Sequence, residues 1–218
     1  MPPRGLEPSG IILVDKPAGP TSFDIVASVR RRTGARTGHA GTLDPFATGL
    51  LLLLSGSATR LQPRFVGLDK RYVTEIDLSS RTSTGDPEGE IVEEGVPPDP
   101  DALEEKLDEL RGAVELPVPA ASAVKIDGER AYRLHRRGVV VEMPVRRMHV
   151  HELVLERYQD GVAKLGLLVS SGTYVRSIAE ALGGHCVTLR RTEIGPFSVD
   201  EADPDRILSA DEALARLG

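Results

Sequence analysis

The chain has 218 residues, of which 40% are hydrophobic and 28% charged, as in an ordinary globular protein with a substantial core. Its net charge of -6 excludes the strongly basic balance that by itself indicates a nucleic-acid partner. One cysteine, Cys186, excludes an internal disulfide and provides too few ligands for a zinc site. The N-terminus lacks an apolar signal region and no apolar run approaches the length of a membrane span, so we expect a cytoplasmic protein without membrane association.

The first elements are a loose tail, a strand and a helix. Residues 1–9 are rich in Pro and Gly, and the apolar run over residues 10–14 predicts a buried strand. Thr21 or Ser22 can cap a helix over residues 23–32. The apolar face of that helix is predicted from three side chains: Phe23, Val26 and Val29.

The middle of the chain predicts a mainly extended region. Residues 50–54 are a leucine run, which periodicity alone assigns equally well to a strand or to a buried helix segment. Residues 70–78 alternate as a strand does. A polar hairpin-like stretch over residues 81–90 leads to a short strand around Ile91 and Val92. One face of the alternating strand carries Tyr72, Thr74 and Ile76.

The second half mixes helices with longer strands, which favours an α+β fold around a large mixed or antiparallel sheet. Asp99 is a suitable cap for the clearest helix. In chain order we predict a helix over 99–110, an extended segment from 117 that becomes a helix ending near Gly138, strands over 145–158 and 162–169 joined by a turn at 159–161, a helix over 171–183, a strand over 185–194 and a helix over 209–217.

Residues 38–49 read GHAGTLDPFATG and place one carboxylate, Asp44, between Leu43 and Pro45. The proline disfavours helical backbone at Asp44, and the glycines of the loop permit close approach of a ligand. An acid held in this way can serve as a nucleophile or a general base. Asp-Pro is also a common turn signal, and the local sequence alone favours that interpretation.

Four other side chains are candidates for a site. His39 can contact a base, act as an acid or base, or be a solvated loop residue. Tyr72 can stack on a base or pack in the sheet. Tyr174 and Arg176 fall in the first turn of a predicted helix, where a cation is unfavourable to the dipole, which suggests that Arg176 pairs with a phosphate or a buried carboxylate. The alternative for Arg176 is a surface arginine.

Arginines occur in clusters that are separated along the sequence. Each cluster alone is typical of solvated charge, but together they can converge into one surface that faces RNA. The clusters are residues 30–36, 133–137, 146–147 and 190–191. No paired carboxylates, metal-ligand spacing or phosphate-binding glycine motif accompanies them.

Several motifs follow one another in a fixed order. GIILVDKPAGPTS and GHAGTLDPFATG are followed by DKRYVTEIDL and RTSTGD, and then by PAASAVKIDGERAYRLHRRG, SSGTYVRSIAEALG and GHCVTLRRTEIGPF. This series resembles the TruB-type tRNA pseudouridine synthases, which isomerise the T-loop uridine of tRNA at position 55. The resemblance covers residues 10–200 and implies the pseudouridine synthase fold, an α+β fold whose large mixed or mostly antiparallel sheet is flanked by helices.

Carried over residue by residue, the resemblance implies a catalytic set of Asp44, Tyr72 and Arg176. Asp44 is then the catalytic carboxylate, Tyr72 stacks on the flipped-out base, and Arg176 pairs with Asp44. The residues that the resemblance implies for substrate binding are His39, Tyr72, Tyr174 and Leu189.

The resemblance further implies that the enzyme needs no cofactor and no metal. Its partner is the T-arm of tRNA, with no obligatory protein partner, and we expect a monomer. Residues 10–200 form the catalytic domain, and residues 201–218 are expected to be a short helical extension rather than the C-terminal PUA-type RNA-binding domain common in the family.

Three other functions stay open at this stage. An RNA chaperone that refolds tRNA retains the fold with catalysis secondary or lost. A guide-RNA-dependent relative requires protein partners. A hydrolase of free nucleosides can use Asp44, although the arginines near the motifs disfavour it.

Overall fold

The structure, a computed structural model, describes residues 9–218, so the tail predicted over residues 1–9 lies outside the described residues except for Ser9. Two compact units share the chain. Unit 1 runs up to Tyr72 and resumes over Leu189–Gly218, and unit 2 is Val73–Thr188.

Thirteen strands and six α-helices make up the described part of the chain, together with two 3-10 helices over Gly56–Leu61 and Val199–Glu201. The strands are β1 (Gly10–Lys16), β2 (Thr37–His39), β3 (Thr48–Ser55), β4 (Lys70–Asp77), β5 (Ser80–Thr82), β6 (Ile91–Glu94), β7 (Gly112–Pro117), β8 (Lys125–Ile126), β9 (Glu129–Arg130), β10 (Val145–Gln159), β11 (Val162–Val169), β12 (His185–Ile194) and β13 (Phe197–Ser198). The helices are α1 (Ser22–Thr33), α2 (Gln62–Val66), α3 (Pro100–Glu109), α4 (Ala131–Arg136), α5 (Val175–Leu182) and α6 (Ala210–Ala215).

A nine-stranded mixed sheet dominates the topology, so the predicted α+β class is confirmed. Its strand order is β1-β3-β12-β4-β11-β10-β7, with β2 on β3 and β13 on β12. Strands β1 and β3 are antiparallel from Gly10↔Ser55 to Lys16↔Gly49. Strands β12 and β3 are parallel, with Arg190 opposite Thr48 and Arg191 opposite Gly49.

The leucine run over residues 50–54 is a strand buried on both faces, which explains why its sequence shows no alternation. Leu50, Leu52 and Leu54 join one core cluster with Phe65 and Phe197. Leu51 and Leu53 join a second cluster with residues of β1 and α1.

The predicted first helix is present, and Thr21 is its cap through a capping box with Asp24. Its predicted apolar face is partly wrong, because Phe23 is 64% exposed whereas Val26 and Val29 are buried. At 100° per residue, Phe23 and Val29 lie on opposite sides of Val26, and the buried stripe turns toward Val29.

The predicted hairpin of strands β10 and β11 in unit 2 is confirmed. Asp160 and Gly161 form its two-residue turn, with φ of 52° and 78°. Positive φ at both positions is typical of a type I′ turn, whose twist matches that of the strands. Strand β10 also pairs antiparallel with β7.

Six strands were not predicted from the sequence, namely β2, β5, β7, β8, β9 and β13, and one helix start was misplaced. Strand β7 ends at Pro117, where the extended segment was expected to begin, and β8 and β9 form a small hairpin before α4. Helix α5 begins at Val175 rather than at 171, and its cap position, Tyr174, makes no side-chain capping bond. The polar residues at 171 and 173, which resemble caps in the sequence, therefore belong to the turn before the helix. No helix within residues 9–218 is long and apolar enough to cross a membrane.

Substituting Gly49 tests the close contact between β3 and β12. A Cβ atom at Gly49 would lie 2.2 Å from the carbonyl oxygen of Arg191, and φ is +103°, so Gly49→Ala combines backbone strain with a steric clash. We expect a loss of about 3 kcal/mol in the free energy of unfolding, measured by urea denaturation.

The control is Gly38→Ala, because the added Cβ meets no atom within 4 Å and the backbone is not left-handed. A Gly49→Ala protein as stable as Gly38→Ala would contradict this account of the contact.

Candidate active site

The loop that carries Asp44 connects strands β2 and β3 in unit 1. Directly after β2, the Ala40 amide donates to the Leu52 carbonyl at 2.9 Å. After Asp44, the Ala47 amide donates to the Asp44 carbonyl at 3.2 Å, which closes a turn over Pro45. The predicted Asp-Pro turn is therefore present, and it does not exclude a catalytic role for the side chain.

A buried hydroxyl fixes the residue before Asp44. Ser22, in the first turn of α1, is 2% exposed. Its Oγ accepts from the Leu43 amide at 2.9 Å and donates to the Leu43 carbonyl at 3.0 Å. Because both backbone groups of Leu43 bond to the same hydroxyl, the backbone entering Asp44 is held against α1.

A buried lysine fixes the residue after Asp44. Lys16, at the end of β1, has no exposed surface. Its Nζ donates to the carbonyls of Pro17, Pro20 and Pro45 at 2.9, 2.9 and 3.2 Å. These bonds tie the turn after β1 to the Asp44 loop, since one ammonium has three donors to share.

Arg191 is the side chain that organises the start of this loop. It is 1% exposed, and its Nε donates to the Leu50 carbonyl at 2.8 Å. Its Nη1 and Nη2 donate to the Thr42 and Gly41 carbonyls at 3.3 and 3.1 Å. The same Nη1 lies 3.5 Å from the Tyr72 hydroxyl. One guanidinium thus connects Tyr72 with the backbone just before Asp44.

The sequence missed the role of Arg191. It placed residues 190–191 in a basic cluster facing RNA or solvent, but Arg191 is buried and Arg190 pairs with Asp15 at 3.0 and 2.8 Å. Strand alternation was the available signal, because Leu189 and Arg191 point to the same side of β12 and both are buried.

Three more predicted site residues lie in unit 1. Tyr72 and Leu189 are 8% and 7% exposed. His39 ends β2 and is partly buried, and its Nδ1 is buried without a hydrogen-bond partner in the part of the chain that the structure describes. Burial, and then the charge of Arg191, lowers the pKa of His39, which favours the neutral imidazole.

The remaining two predicted residues, Tyr174 and Arg176, lie in unit 2. Arg176 is not a surface arginine, since its side chain is 3% exposed. It pairs with Asp86 at 3.2 Å and donates to the carbonyls of Thr84 and Ala121 at 2.8 and 3.0 Å. A buried carboxylate was one of the two anions predicted for it. The pairing of Arg176 with Asp44 stays a prediction.

Asp86 is a second residue that the sequence analysis did not single out. Its side chain is 6% exposed, and its Oδ1 accepts from the Thr84 hydroxyl at 2.6 Å and the Glu88 amide at 3.1 Å. These bonds orient the carboxylate toward Arg176. The signal was present in the RTSTGD motif, in which Thr84 and Asp86 stand two residues apart.

Buried positive charge characterises this part of unit 1. Burial, followed by the charge of Arg191, lowers the pKa of Lys70 to about 8, and Asp69 opposes the shift. Positive potential attracts anionic ligands. Within residues 9–218, no three His, Cys, Asp or Glu side chains are grouped so that they could hold a metal ion.

Comparison with known proteins finds one family match and several named relatives. Residues 30–175 match the TruB family pseudouridylate synthase (N terminal domain). The chain is similar to tRNA pseudouridine synthase B of Leifsonia xyli subsp. xyli, with 45% identity over 91% of this chain and 71% of the relative. It is 42% identical to tRNA pseudouridine synthase B of Corynebacterium jeikeium, over 97% of this chain and 77% of the relative.

Among solved structures, a Cbf5-Nop10-Gar1 complex aligns with a TM-score of 0.68 and 27% identity, covering 92% of this chain and 56% of that chain. The chain thus spans little more than half of that neighbour. The likeness confirms the pseudouridine synthase fold that the resemblance implied. With the family match over residues 30–175 and relatives above 40% identity, the chain belongs to the TruB family.

The buried pair of Asp86 and Arg176 predicts a large stability effect. Asp86→Ala leaves a buried guanidinium without this carboxylate, and we expect a loss of about 3 kcal/mol in the free energy of unfolding at pH 7, measured by urea denaturation. Glu93→Ala is the matched control, because Glu93 pairs with Arg81 on the surface with both side chains substantially exposed. The control should cost less than about 1 kcal/mol. Equal losses would contradict the buried pair.

The lowered pKa of Lys70 predicts a pH dependence with a definite sign. The folded-state pKa is about 8 and the ordinary value is 10.5, so the unfolded chain binds more protons between these values. Stability therefore rises with pH across this window through Lys70. We expect the free energy of unfolding of wild type to increase from pH 8 to 10.5 relative to Lys70→Met.

A direct measurement is NMR titration of the Lys70 side chain in wild type and in Asp69→Asn. The exposed Asp69 charge raises the Lys70 pKa, so its removal should move the titration midpoint further down. An upward shift would contradict the assignment.

Proposed function

We propose that this chain isomerises uridine to pseudouridine in the T-loop of tRNA, at position 55, and that residues 10–200 form the catalytic domain. Membership of the TruB family and the names of its relatives, tRNA pseudouridine synthase B, support this function. The structural observation that carries it is the Asp44 loop, which buried Ser22, Lys16 and Arg191 fix from three sides.

The reaction requires a flipped-out uridine, since a base within a folded T-loop is stacked. The N1–C1′ bond breaks and a C5–C1′ bond forms. The C5 proton is lost and N1 gains a proton, so the product is an isomer of the substrate. Because the atoms and electrons balance, the reaction as written consumes no oxidant, reductant or co-substrate, and we propose that it needs no cofactor and no metal.

Asp44 is the proposed catalytic carboxylate. It either attacks C1′ of the sugar or abstracts a sugar proton, and both routes require a carboxylate held close to the ribose. A loop whose backbone is bonded on both sides of Asp44 suits either route, because little motion is left to restrict when substrate binds. Arg176, as a partner of Asp44, would keep the carboxylate in its charged form.

Tyr72 is proposed to stack on the flipped base. Its hydroxyl lies 3.5 Å from a buried guanidinium nitrogen, which favours one orientation of the ring. His39, Tyr174 and Leu189 are proposed to complete the substrate-binding set. A neutral His39 suits contact with an uncharged base, since its pKa is lowered.

We also propose the T-arm of tRNA as the binding partner, a monomeric enzyme without an obligatory protein partner, and a cytoplasmic location. The basic side chains near the Asp44 loop support an RNA ligand. A free nucleoside carries no phosphate and would make no use of them.

Replacing the carboxylate tests the proposed function directly. We expect Asp44→Asn to lower tritium release from C5-labelled uridine in a T-arm minihelix by at least about 1,000-fold, which corresponds to about 4 kcal/mol of transition-state stabilisation. Affinity for tRNA should change less than about twofold, because the amide is isosteric. Asp205→Asn, at an exposed carboxylate, is the control and should leave activity unchanged.

The outcomes separate the alternatives. Tritium release from whole tRNA but not from the minihelix would support the isomerase activity. It would also show that recognition requires more of the tRNA than the T-arm. No release from either RNA, with binding intact, would contradict the isomerase and favour an RNA chaperone. Release from free uridine would favour a nucleoside-specific enzyme.

A further inference from the structure

A cavity of about 230 Å³ lies in unit 1 along strand β2, where β2 pairs with the end of β3. Its lining includes the last turns of α1, strand β2 and the helical segment after β3. Arg30 and Arg36 line it together with Gly38, Thr59 and Gln62. Its volume admits a phosphate group with several waters, each of which takes about 30 Å³.

The charge of this cavity is positive and unneutralised. No carboxylate is among the residues that line it. Nη2 of Arg30 donates to the Thr37 carbonyl at 2.9 Å, which directs the guanidinium without cancelling its charge. Neither Arg30 nor Arg36 forms an ion pair with any residue from 9 to 218.

Three other arginines of unit 1 are neutralised by carboxylates. Arg32, Arg190 and Arg216 each form an ion pair with a carboxylate, at 2.6, 2.8 and 2.6 Å. A chain of net charge -6 has ample acid to neutralise Arg30 and Arg36, yet leaves them without it. Within the described residues, two unpaired guanidinium groups at a cavity without a carboxylate favour an external anion at this position.

The cavity adjoins the residues proposed to hold the target nucleotide. Gly38, in its wall, directly precedes His39. Gln62, also in the wall, donates from Nε2 to the His39 carbonyl at 2.8 Å. An anion bound here therefore lies close to the backbone of His39, one of the residues proposed to bind the target nucleotide.

We propose that this cavity binds one phosphodiester group of the tRNA backbone, close to the nucleotide that Asp44 acts on. The inference rests on the proposed function, because it takes RNA as the ligand. Arginine suits phosphate, since its planar fork can donate two parallel hydrogen bonds. A phosphodiester of the same RNA is favoured over a free anion, because binding of the nucleotide makes its capture intramolecular.

Two substitutions test the cavity while keeping the fold. The Arg36 side chain makes no hydrogen bond or ion pair within residues 9–218, so Arg36→Gln removes charge alone. Gly38→Leu fills the space, because a Cβ there meets no atom within 4 Å and the backbone is not left-handed. Arg32→Gln is the matched control: it removes one charge from helix α1, four residues before Arg36, at an arginine already paired with Asp205.

We expect Arg36→Gln and Gly38→Leu each to raise Kd for tRNA, and KM with it, about tenfold, with kcat unchanged. In Arg36→Gln the slope of log Kd against log salt should fall by about 0.7 to 0.9, the value of one phosphate contact. Arg32→Gln should change neither quantity. Equal behaviour of Arg36→Gln and Arg32→Gln would overturn the inference.

Single methylphosphonate linkages in a T-arm minihelix identify the phosphate. At one linkage, removal of the charge should weaken binding to wild type about tenfold and have no further effect on Arg36→Gln. If the loss of affinity caused by each methylphosphonate linkage were the same in Arg36→Gln as in wild type, the inference would be overturned. This holds even if Arg36→Gln binds RNA weakly.

The two proposals fail in distinguishable ways. Binding can be measured in the Asp44→Asn background, where no product forms. If product formation depends on Asp44 but the cavity variants bind tRNA as wild type does, the phosphate site is contradicted and the isomerase activity is supported. If those variants lose affinity for tRNA but wild type forms no product, the isomerase activity is contradicted and the phosphate site is supported.

Discussion

The arrangement of unit 1 depends on one buried guanidinium, that of Arg191. Strand β12 carries it into the sheet, and its donors bond to three carbonyls, those of Gly41, Thr42 and Leu50. A buried charge is costly unless its donors are satisfied, so this group enforces the conformation of the carbonyls that surround it. The strained glycine contact at Gly49 follows from the same constraint, because β12 must approach β3 closely to deliver the side chain.

Unit 2 uses buried charge in another way. The guanidinium of Arg176 has a carboxylate, Asp86, as well as carbonyl partners, and Thr84 and Glu88 orient that carboxylate. Arg191 is bonded to neutral carbonyls, which leaves its charge to act on its surroundings, including His39. One arginine is thus locally neutralised and the other provides positive potential.

The sequence predicted most strands and helices well and the site unevenly. Periodicity identified β4 and α3, since one buried face produces a regular pattern, and turn chemistry identified the β10–β11 hairpin. It could not classify residues 50–54, because a strand buried on both faces has no period. The roles of Arg191 and Asp86 were missed for a physical reason: their importance comes from burial and from partners distant in sequence, which local composition does not encode.

Net charge is a poor guide to this protein's ligand, because the arginines fall into separate populations. Some are neutralised by surface carboxylates, as Arg32 is by Asp205, and contribute little to the field felt by an approaching polyanion. Arg191 is buried against carbonyls. Arg30 and Arg36 retain their charge at the cavity along strand β2. A polyanion responds to this local charge rather than to the sum, so an overall charge of -6 is compatible with RNA binding.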